Sequence, residues 1–497
     1  METIYAYSIG KDAILLTDFY QITMAAAYFF SHYHRDLKTK GIFEVFVRKL
    51  PKNRSYLVAA GLQQVVDFIL NFNFNEEHIS YLKSLDVFKE IKDDFFEYLL
   101  EMKFTGDLWA VPEGTILFPN EPILRVKAPI IEAQLMETYI LSIINFQTLI
   151  ATKASRITNA SNGKPVIEFG SRRAHGPQAG LLAARAAYIG GCTGTSNTLA
   201  GMRFDIPVFG TMAHSFIMSF ENELDAFRQF ENLFSSSFLL VDTYNTIHAI
   251  KMIIRERISF KGIRLDSGDL LFLSKGARKL LDKVGDSKYL NVKIMTSSDL
   301  NEYIIDDLVK SNAPIDIFAV GTELCTSRDD PAFNGIYELV AVEIQNQINS
   351  NSNKEKNIKN EKDSVLYHYF DNDQKIISYK IKTSPGKKIY PGPKQIHRML
   401  NKSFNNLNYD IITLEDEIIE ESLPLLKKII ENGYNIHPLP SLKEIQEYHK
   451  DQLQLISSSF KDIYKVPESF PVKYSQKLDK IYDELLKEHN SQIQKQQ

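Results

Sequence analysis

Cysteine is scarce: the 497 residues include two, Cys192 and Cys325. That is too few for a disulfide framework, so a reducing, intracellular compartment is expected. An excess of charge of either sign is also missing. With 58 Lys+Arg against 62 Asp+Glu the formal net charge is −4, which leaves no general cationic field to bind nucleic acid, so any positive site must be local. No run of about 18 consecutive apolar residues occurs. The opening METIYAYSIGKDAILLTDFYQ has no basic segment leading into an apolar one. Neither a membrane span nor a secretory leader is therefore expected, and the protein is placed in the cytoplasm. No internal repeat interrupts this picture.

Core material is plentiful, with 44% hydrophobic and 11% aromatic residues, enough for two or three domains. A helix is expected from Asp18 to about Phe30 and a strand over Phe43–Val47. Residues 104–128, FTGDLWAVPEGTILFPNEPILRVKA, place short β-prone runs between Pro and Gly, as a small sheet would. A long helical stretch over 130–160 follows. Between Pro165 and Leu324 the apolar runs KPVIEF, DIPVFG, KGIRLD, VKIMTS and DIFAVG each end in a polar or glycine-rich turn before a helical segment. That alternation implies parallel βα units, in an open sheet or a barrel. Asp299, three residues before Glu302, fits a capping-box-like helix start. The Asn/Lys/Ser-rich segment 344–364 reads as a flexible insertion. The region beyond it is expected to be partly helical, for example over LEDEIIEESLPLLKKIIENG. The expected units are thus 1–160, an N-terminal α/β domain with a small sheet and long connecting helix; 161–343, an α/β core with the site; the 344–364 insertion; and 365–497, packing on the N-terminal domain.

In parallel α/β folds ligands gather at the C-terminal ends of strands. After KPVIEF, the turn GSRRAHGPQAG places Arg172, Arg173 and His175 ahead of a helix that starts near Pro177, a suitable anion site. The alternative is that these arginines pair with surface carboxylates. After DIPVFG come Thr211, His214 and Ser215, and a histidine there can carry a proton or accept a phosphoryl group. In IRLDSGDL, Arg264 and Asp266 lie two apart and share a face, with Asp269 just beyond. An internal Arg264–Asp266 ion pair with Asp269 as helix cap is the alternative. Gly321 and Thr322 end the last run, where backbone N–H groups can nest a phosphate. The basic loop SPGKKIYPGPKQIHR, 384–398, completes the set.

Together TDFYQ at 17–21, EFGSRRAHGPQ at 168–178, GTMAHSF at 210–216, RLDSGDL at 264–270, VGTEL at 320–324 and the SPGKK and PGPK pieces resemble nicotinate phosphoribosyltransferases in identity and order. The resemblance runs from about residue 12 to about 400. It implies an irregular, TIM-like α/β barrel with a smaller N-terminal α/β domain, a C-terminal extension, and a homodimer whose active sites lie at the subunit interface. By similarity Tyr20 borders the nicotinate ring, and Thr211 and Arg264 hold nicotinate, Arg264 as a bidentate partner of its carboxylate. Arg172 is a further anion contact. Gly321, Thr322, Ser267 and Gly268 bind 5-phosphoribosyl 1-pyrophosphate, and His214 is phosphorylated from ATP. Mg²⁺ or Mn²⁺ is the implied metal, its ligands unassigned beyond Asp269 as a candidate. Asp266 is the candidate to face the ribose as positive charge develops there. Neither nucleic acid nor membrane is an expected partner. The nearest rival is nicotinamide phosphoribosyltransferase, against which the TDFYQ and GTMAHSF wording weighs.

Overall fold

The computed structural model describes residues 10–31, 39–344, 366–370, 376–381, 389–401, 406–465 and 469–496. The insertion expected over 344–364, apart from its first residue, and the SPGKK piece lie outside them.

The chemistry-bearing half is a parallel sheet of six strands: Val166–Glu168, Gly194–Thr195, Phe238–Leu240, Gly262–Leu265, Lys293–Thr296 and Ile317–Val320. In space they run 194, 166, 317, 293, 262, 238, taken by first residue, and every pairing is parallel. Burial of both faces explains why these strands read as unbroken apolar runs. Ile263, Leu265, Ile294, Phe318 and Val320 enter the large core on one face. Ile167, Met295 and Ala319, of opposite parity, form a small cluster of their own.

Four of the five anticipated runs are strands; DIPVFG is not. Pro207 has no N–H to donate, and its carbonyl accepts from Thr195 N, so the segment makes one isolated bridge, Thr195 to Val208. The strand Phe238–Leu240, inside FLLVD, was not anticipated. Among the described residues no pairing joins the Val208 segment to Phe238–Leu240, so the architecture is mixed α/β with a parallel sheet, and no closed barrel is found.

The second sheet has eight antiparallel strands. Lys40–Val47, Asp107–Ala110 and Leu124–Pro129 pair with strands from the returning chain, among them Gly335–Ile344 and Lys427–Glu431. The last of these corrects the helix expected over LEDEIIEESLPLLKKIIENG. Pro424 interrupts a helix there, β-branched Ile429 and Ile430 suit a strand, and Asn432 and Gly433 both have positive φ, 49° and 80°. An Asn-Gly pair of that conformation closes a two-residue hairpin to Tyr434–Asn435.

One element ties the halves together. The expected long helix forms as Ile130–Leu135 followed by Glu137–Ala160. Tyr139, Ile140, Ile144 and Leu149 belong to the core under the antiparallel sheet, whereas Ile150, Ala151, Ala154 and Ile157 belong to the core around the parallel one. Helix Pro177–Ile189 packs on it through Ala183, Ala184, Ala186 and Ala187, and a Cβ at Gly190 would collide with the Ala151 carbonyl. The apolar face of a single helix thereby fixes the strand-end turns relative to the N-terminal sheet.

Candidate active site

At the C-terminal ends of the parallel strands a cavity of about 260 Å³ is lined by Phe169, Arg172, Arg173, Arg264, Asp266, Ser297, Ser298, Asp299, Ala319, Gly321 and Thr322. A larger cavity of about 810 Å³ lies by helix Leu62–Leu70 and Asn432–Tyr434. None of the turns that end the parallel strands reaches it, and the convergence of charged groups favours the smaller one as the reactive site.

Arg264 organises the wall. Its Nε donates to Ser297 Oγ (2.9 Å), and its Nη1 donates to Thr211 Oγ1 (2.8 Å) and the Met212 carbonyl (3.1 Å). Nη2 lies 3.0 Å from Asp266 Oδ1. Of the five N–H groups of a guanidinium, these contacts use four, so one, on Nη2, is left for a ligand. That corrects the expectation of a two-pronged grip on the substrate: most of the fork is engaged by the protein.

Ser297, buried at 4% exposure, accepts from Arg264 and donates to Asp266 Oδ1. Burial pushes the Asp266 carboxyl up, but the Arg264 charge, the Ser297 hydroxyl and His214 outweigh it and hold the group below the usual carboxylate range. Its other oxygen, Oδ2, sits 3.5 Å from His214 Nε2. His214 opens the short helix His214–Met218, and its Nδ1 is 3.1 Å from Thr243 Oγ1.

Behind Asp266, the Asp242 carboxylate accepts from Asp266 N (2.8 Å) and Ser267 Oγ (2.7 Å) through Oδ2, while its buried Oδ1 has no partner. The same holds for Oε1 of buried Glu223, whose carboxyl is pushed up to about 7 by burial and by Asp242.

On the opposite wall, the turn Ser171–Arg173 precedes helix Pro177–Ile189, with Pro177 in its first position as expected. Arg172 and Arg173 are exposed, and among the described residues neither forms an ion pair, so the surface-carboxylate alternative is not realised. Buried Glu168 holds the turn from below, accepting from Gly170 N and Thr195 Oγ1, and burial raises its carboxyl despite these donors. A side chain at Gly170 would strike Cys325. Ser298 has φ +103°, a rare conformation for a residue with a side chain, at the cavity wall.

The cavity therefore brings together Arg172, Arg264, Asp266, Gly321 and Thr322, with Thr211 and His214 joined to it through Arg264 and Asp266. Ser267 and Gly268 form the turn beyond Asp266, and Asp269 caps helix Leu270–Lys283, accepting from Phe272 N (2.9 Å). Tyr20 is not among the lining side chains; it is half exposed on helix Phe19–Phe30. His175 and Ser215 are exposed and line nothing here. Asp299 does not cap the next helix. Asn301 does, accepting from Tyr303 N and Ile304 N, and Asp299 is freed to line the cavity.

Sequence reasoning missed Ser297, Asp242, Thr243 and Phe169. For Asp242 a signal existed, since FLLVD ends in an aspartate just as GIRLD does.

Three family models match: the nicotinate phosphoribosyltransferase N-terminal domain over residues 15–145, the nicotinate phosphoribosyltransferase family over 165–377, and its C-terminal domain over 420–482. Nicotinate phosphoribosyltransferase pncB2 of Mycobacterium tuberculosis is 39% identical over 95% of this chain and 93% of its own length. The nicotinate phosphoribosyltransferase of Bacillus subtilis is 38% identical over 96% and 97%. The crystal structure of human nicotinic acid phosphoribosyltransferase shares the fold, with a TM-score of 0.77 and 24% identity over 94% of this chain and 99% of that one. With strand-end arginines, hydroxyls and carboxylates in that fold, the chain belongs to the nicotinate phosphoribosyltransferase family.

Proposed function

We propose that the protein joins nicotinate to 5-phosphoribosyl 1-pyrophosphate, giving nicotinate mononucleotide and pyrophosphate, and that Arg264 reads the nicotinate carboxylate. The observation that carries this reading is the position of Arg264: 12% exposed, charge-paired to Asp266, pinned by Thr211 and Ser297, and lining the cavity. Phe169 supplies an aromatic wall for the ring on the same cavity. The pyridine nitrogen is itself a nucleophile, so no base is required, and orientation dominates catalysis.

As the anomeric C–O bond to pyrophosphate breaks, positive charge develops on the sugar and negative charge on the leaving group. Asp266 stays ionised and offers Oδ2 toward the first; Arg172 and Arg173, which form no ion pair among the described residues, neutralise the second. Gly321 and Thr322, with the Ser267–Gly268 turn, take the phosphate groups.

Magnesium or manganese would add charge neutralisation at the leaving pyrophosphate. Asp266 is the carboxylate on the cavity wall that such a cation, arriving with phosphate oxygens, would meet, whereas the unpartnered oxygens of Asp242 and Glu223 are buried outside the cavity lining. Among the described residues no cluster of three or more His, Cys, Asp or Glu forms a complete cage of its own.

His214 is the proposed phosphoryl acceptor from ATP. With Nδ1 facing the Thr243 hydroxyl, Nε2 is the nitrogen left to react, beside Asp266.

We further read the protein as a cytoplasmic homodimer with shared sites and the parallel sheet as an incompletely closed barrel. Exposed Leu199, Met202, Val208 and Phe209 lie on the segment leading into Thr211, and Phe19 and Tyr20 are exposed together on another helix. A second copy that covered the first group with the second would bring Tyr20 to the nicotinate ring. No helix among the described residues is long and apolar enough to cross a membrane.

The direct test is mononucleotide and pyrophosphate formation from nicotinate or nicotinamide, with and without ATP. Turnover of nicotinate with stimulation by ATP is expected. Equal turnover of nicotinamide would remove the substrate assignment, and no pyrophosphate from either base would remove the activity.

A further inference from the structure

Lys153 stands in the middle of the long helix Glu137–Ala160, buried to 0% exposure, and the reaction described above makes no use of it. Its ammonium meets three carboxylates from two segments: Glu302 at 2.6 Å, Asp329 at 3.0 Å and, at 3.8 Å, Glu323. Two arginines support it from the buried side, Arg156 on Glu302 (3.2 Å) and Arg54 on both oxygens of Asp329 (2.7 and 3.0 Å). The exposed Arg328 also reaches Glu323, at 3.5 Å, so removal of Lys153 leaves Glu302 and Asp329 short of a cation in a place with little water, while Glu323 keeps a partner at the surface.

The locations of these carboxylates give the cluster its meaning. Glu302 is the first residue of the helix entered from Ser297, Ser298 and Asp299, which line one side of the cavity. Glu323 is the neighbour of Thr322, and Gly321 and Thr322 line the other side. The helix bearing Lys153 packs against both short segments. A lysine head has three donors on a compact centre, which suits three separate carboxylates better than a planar fork would.

We infer that Lys153 is a positioning residue that holds the Gly321–Thr322 turn at its distance from the Ser297–Asp299 turn, which Arg264 and Asp266 anchor separately through Ser297, and so governs the fit of the phosphorylated sugar while leaving the pyridine base unaffected. This rests on the reading of Gly321–Thr322 as the phosphate turn. Burial pushes the Glu323 carboxyl up, whereas Glu302 and Asp329 are held low against the same burial by their cations. Glu323 is thus the weakly held leg, shared with the exposed Arg328, and it acts with Asp329 to tie the Gly321–Thr322 side to Lys153.

The test measures KM for 5-phosphoribosyl 1-pyrophosphate, KM for nicotinate, kcat and thermal unfolding for the full chain and for Lys153→Met, Glu323→Gln and Thr322→Ala. Lys153→Met is expected to raise KM for the phosphoribosyl substrate by about tenfold or more, with KM for nicotinate within about twofold. Glu323→Gln, which cuts one leg and keeps the Glu302 anchor, should raise the same KM about threefold and stands in if Lys153→Met does not fold. Equal changes in both KM values, or none, in the folded variants would overturn the inference, since a merely structural role loses both substrates alike. Thr322→Ala separates the two readings: if it leaves KM for the phosphoribosyl substrate unchanged, the phosphate turn is misplaced; if it raises that KM and the Lys153 and Glu323 variants do not, the positioning role alone is refuted.

Discussion

Replacing Arg264 by alanine separates two jobs carried by one side chain. Within the protein the guanidinium holds Thr211, the Met212 carbonyl, Ser297 and Asp266, and in the proposed reaction its remaining N–H takes the nicotinate carboxylate. Removing one partner of a buried pair costs about 3–5 kcal/mol. Asp266 is 21% exposed on its side chain, so water softens the loss, and about 2–3 kcal/mol of disorganisation is expected. That part falls on nicotinate and nicotinamide alike. The remaining charge-assisted hydrogen bond contributes about 1.5–3 kcal/mol, and only nicotinate loses it. Together these amount to about 3.5–6 kcal/mol, or roughly two and a half to four and a half decades in kcat/KM for nicotinate. The ratio of nicotinate to nicotinamide turnover should fall by about one to two decades. Initial rates of mononucleotide formation with each base, at saturating 5-phosphoribosyl 1-pyrophosphate, measure both quantities. A large loss with an unchanged ratio would mean that the carboxylate is read elsewhere, with Arg172 and Arg173 the candidates on the facing wall. Activity within about threefold of the parent on both bases would refute both jobs.

His214→Ala is expected to abolish acid-labile labelling from γ-labelled ATP and to uncouple ATP use from product formation; label that persists would identify another acceptor. Mixing Tyr20→Ala with Arg264→Ala under subunit exchange should restore about a quarter of the parent activity, because random pairing of two-fold dimers leaves one intact shared site in half of them. Failure to recover any activity would remove Tyr20 from a shared site. Glu132, 5% exposed, has its carboxyl pushed up to about 7 by burial, against two donors from Thr105. The folded chain therefore binds the extra proton more tightly than the unfolded one, and stability falls as pH rises from about 4.5 to 7. Glu132→Gln should raise the melting temperature at pH 8, by the equivalent of about 1–3 kcal/mol, and leave it unchanged near pH 4.5. A difference that does not vary with pH would contradict the assignment.

The sequence made the parallel strands readable because burial on both faces turns each into an unbroken apolar run ending where the chain meets solvent, as in KGIRLD and DIFAVG. It hid Phe238–Leu240, three residues long and preceded by three serines, and with it Asp242 and Thr243. The hairpin at 427–435 was misread because the glutamates and leucines of 414–426 favour helix locally, whereas its pairing partner, Asp107–Ala110, lies more than 300 residues away. Asn432–Gly433 was the local clue that outweighs such a preference. Ser297 offered no clue at all: a serine after a strand is common, and its value comes from standing between Arg264 and Asp266.

That last triad also changes how two competing readings of one motif relate. IRLDSGDL could be taken as a site or as an internal ion pair with a helix cap, and the structure contains the ion pair and the cap. The pair is nonetheless at the cavity wall, with Asp266 also within reach of His214. Structural pairing here is the means of positioning: an arginine that spends four donors on its own protein cannot swing, and so presents its fifth in one direction. The same reasoning makes Ser297→Ala a sharper probe of preorganisation than any change to the charged pair. It deletes one hydroxyl from both partners and leaves their charges in place. A drop in kcat with little change in melting temperature is the expected result, and a loss of stability without one would show that the triad serves the fold alone.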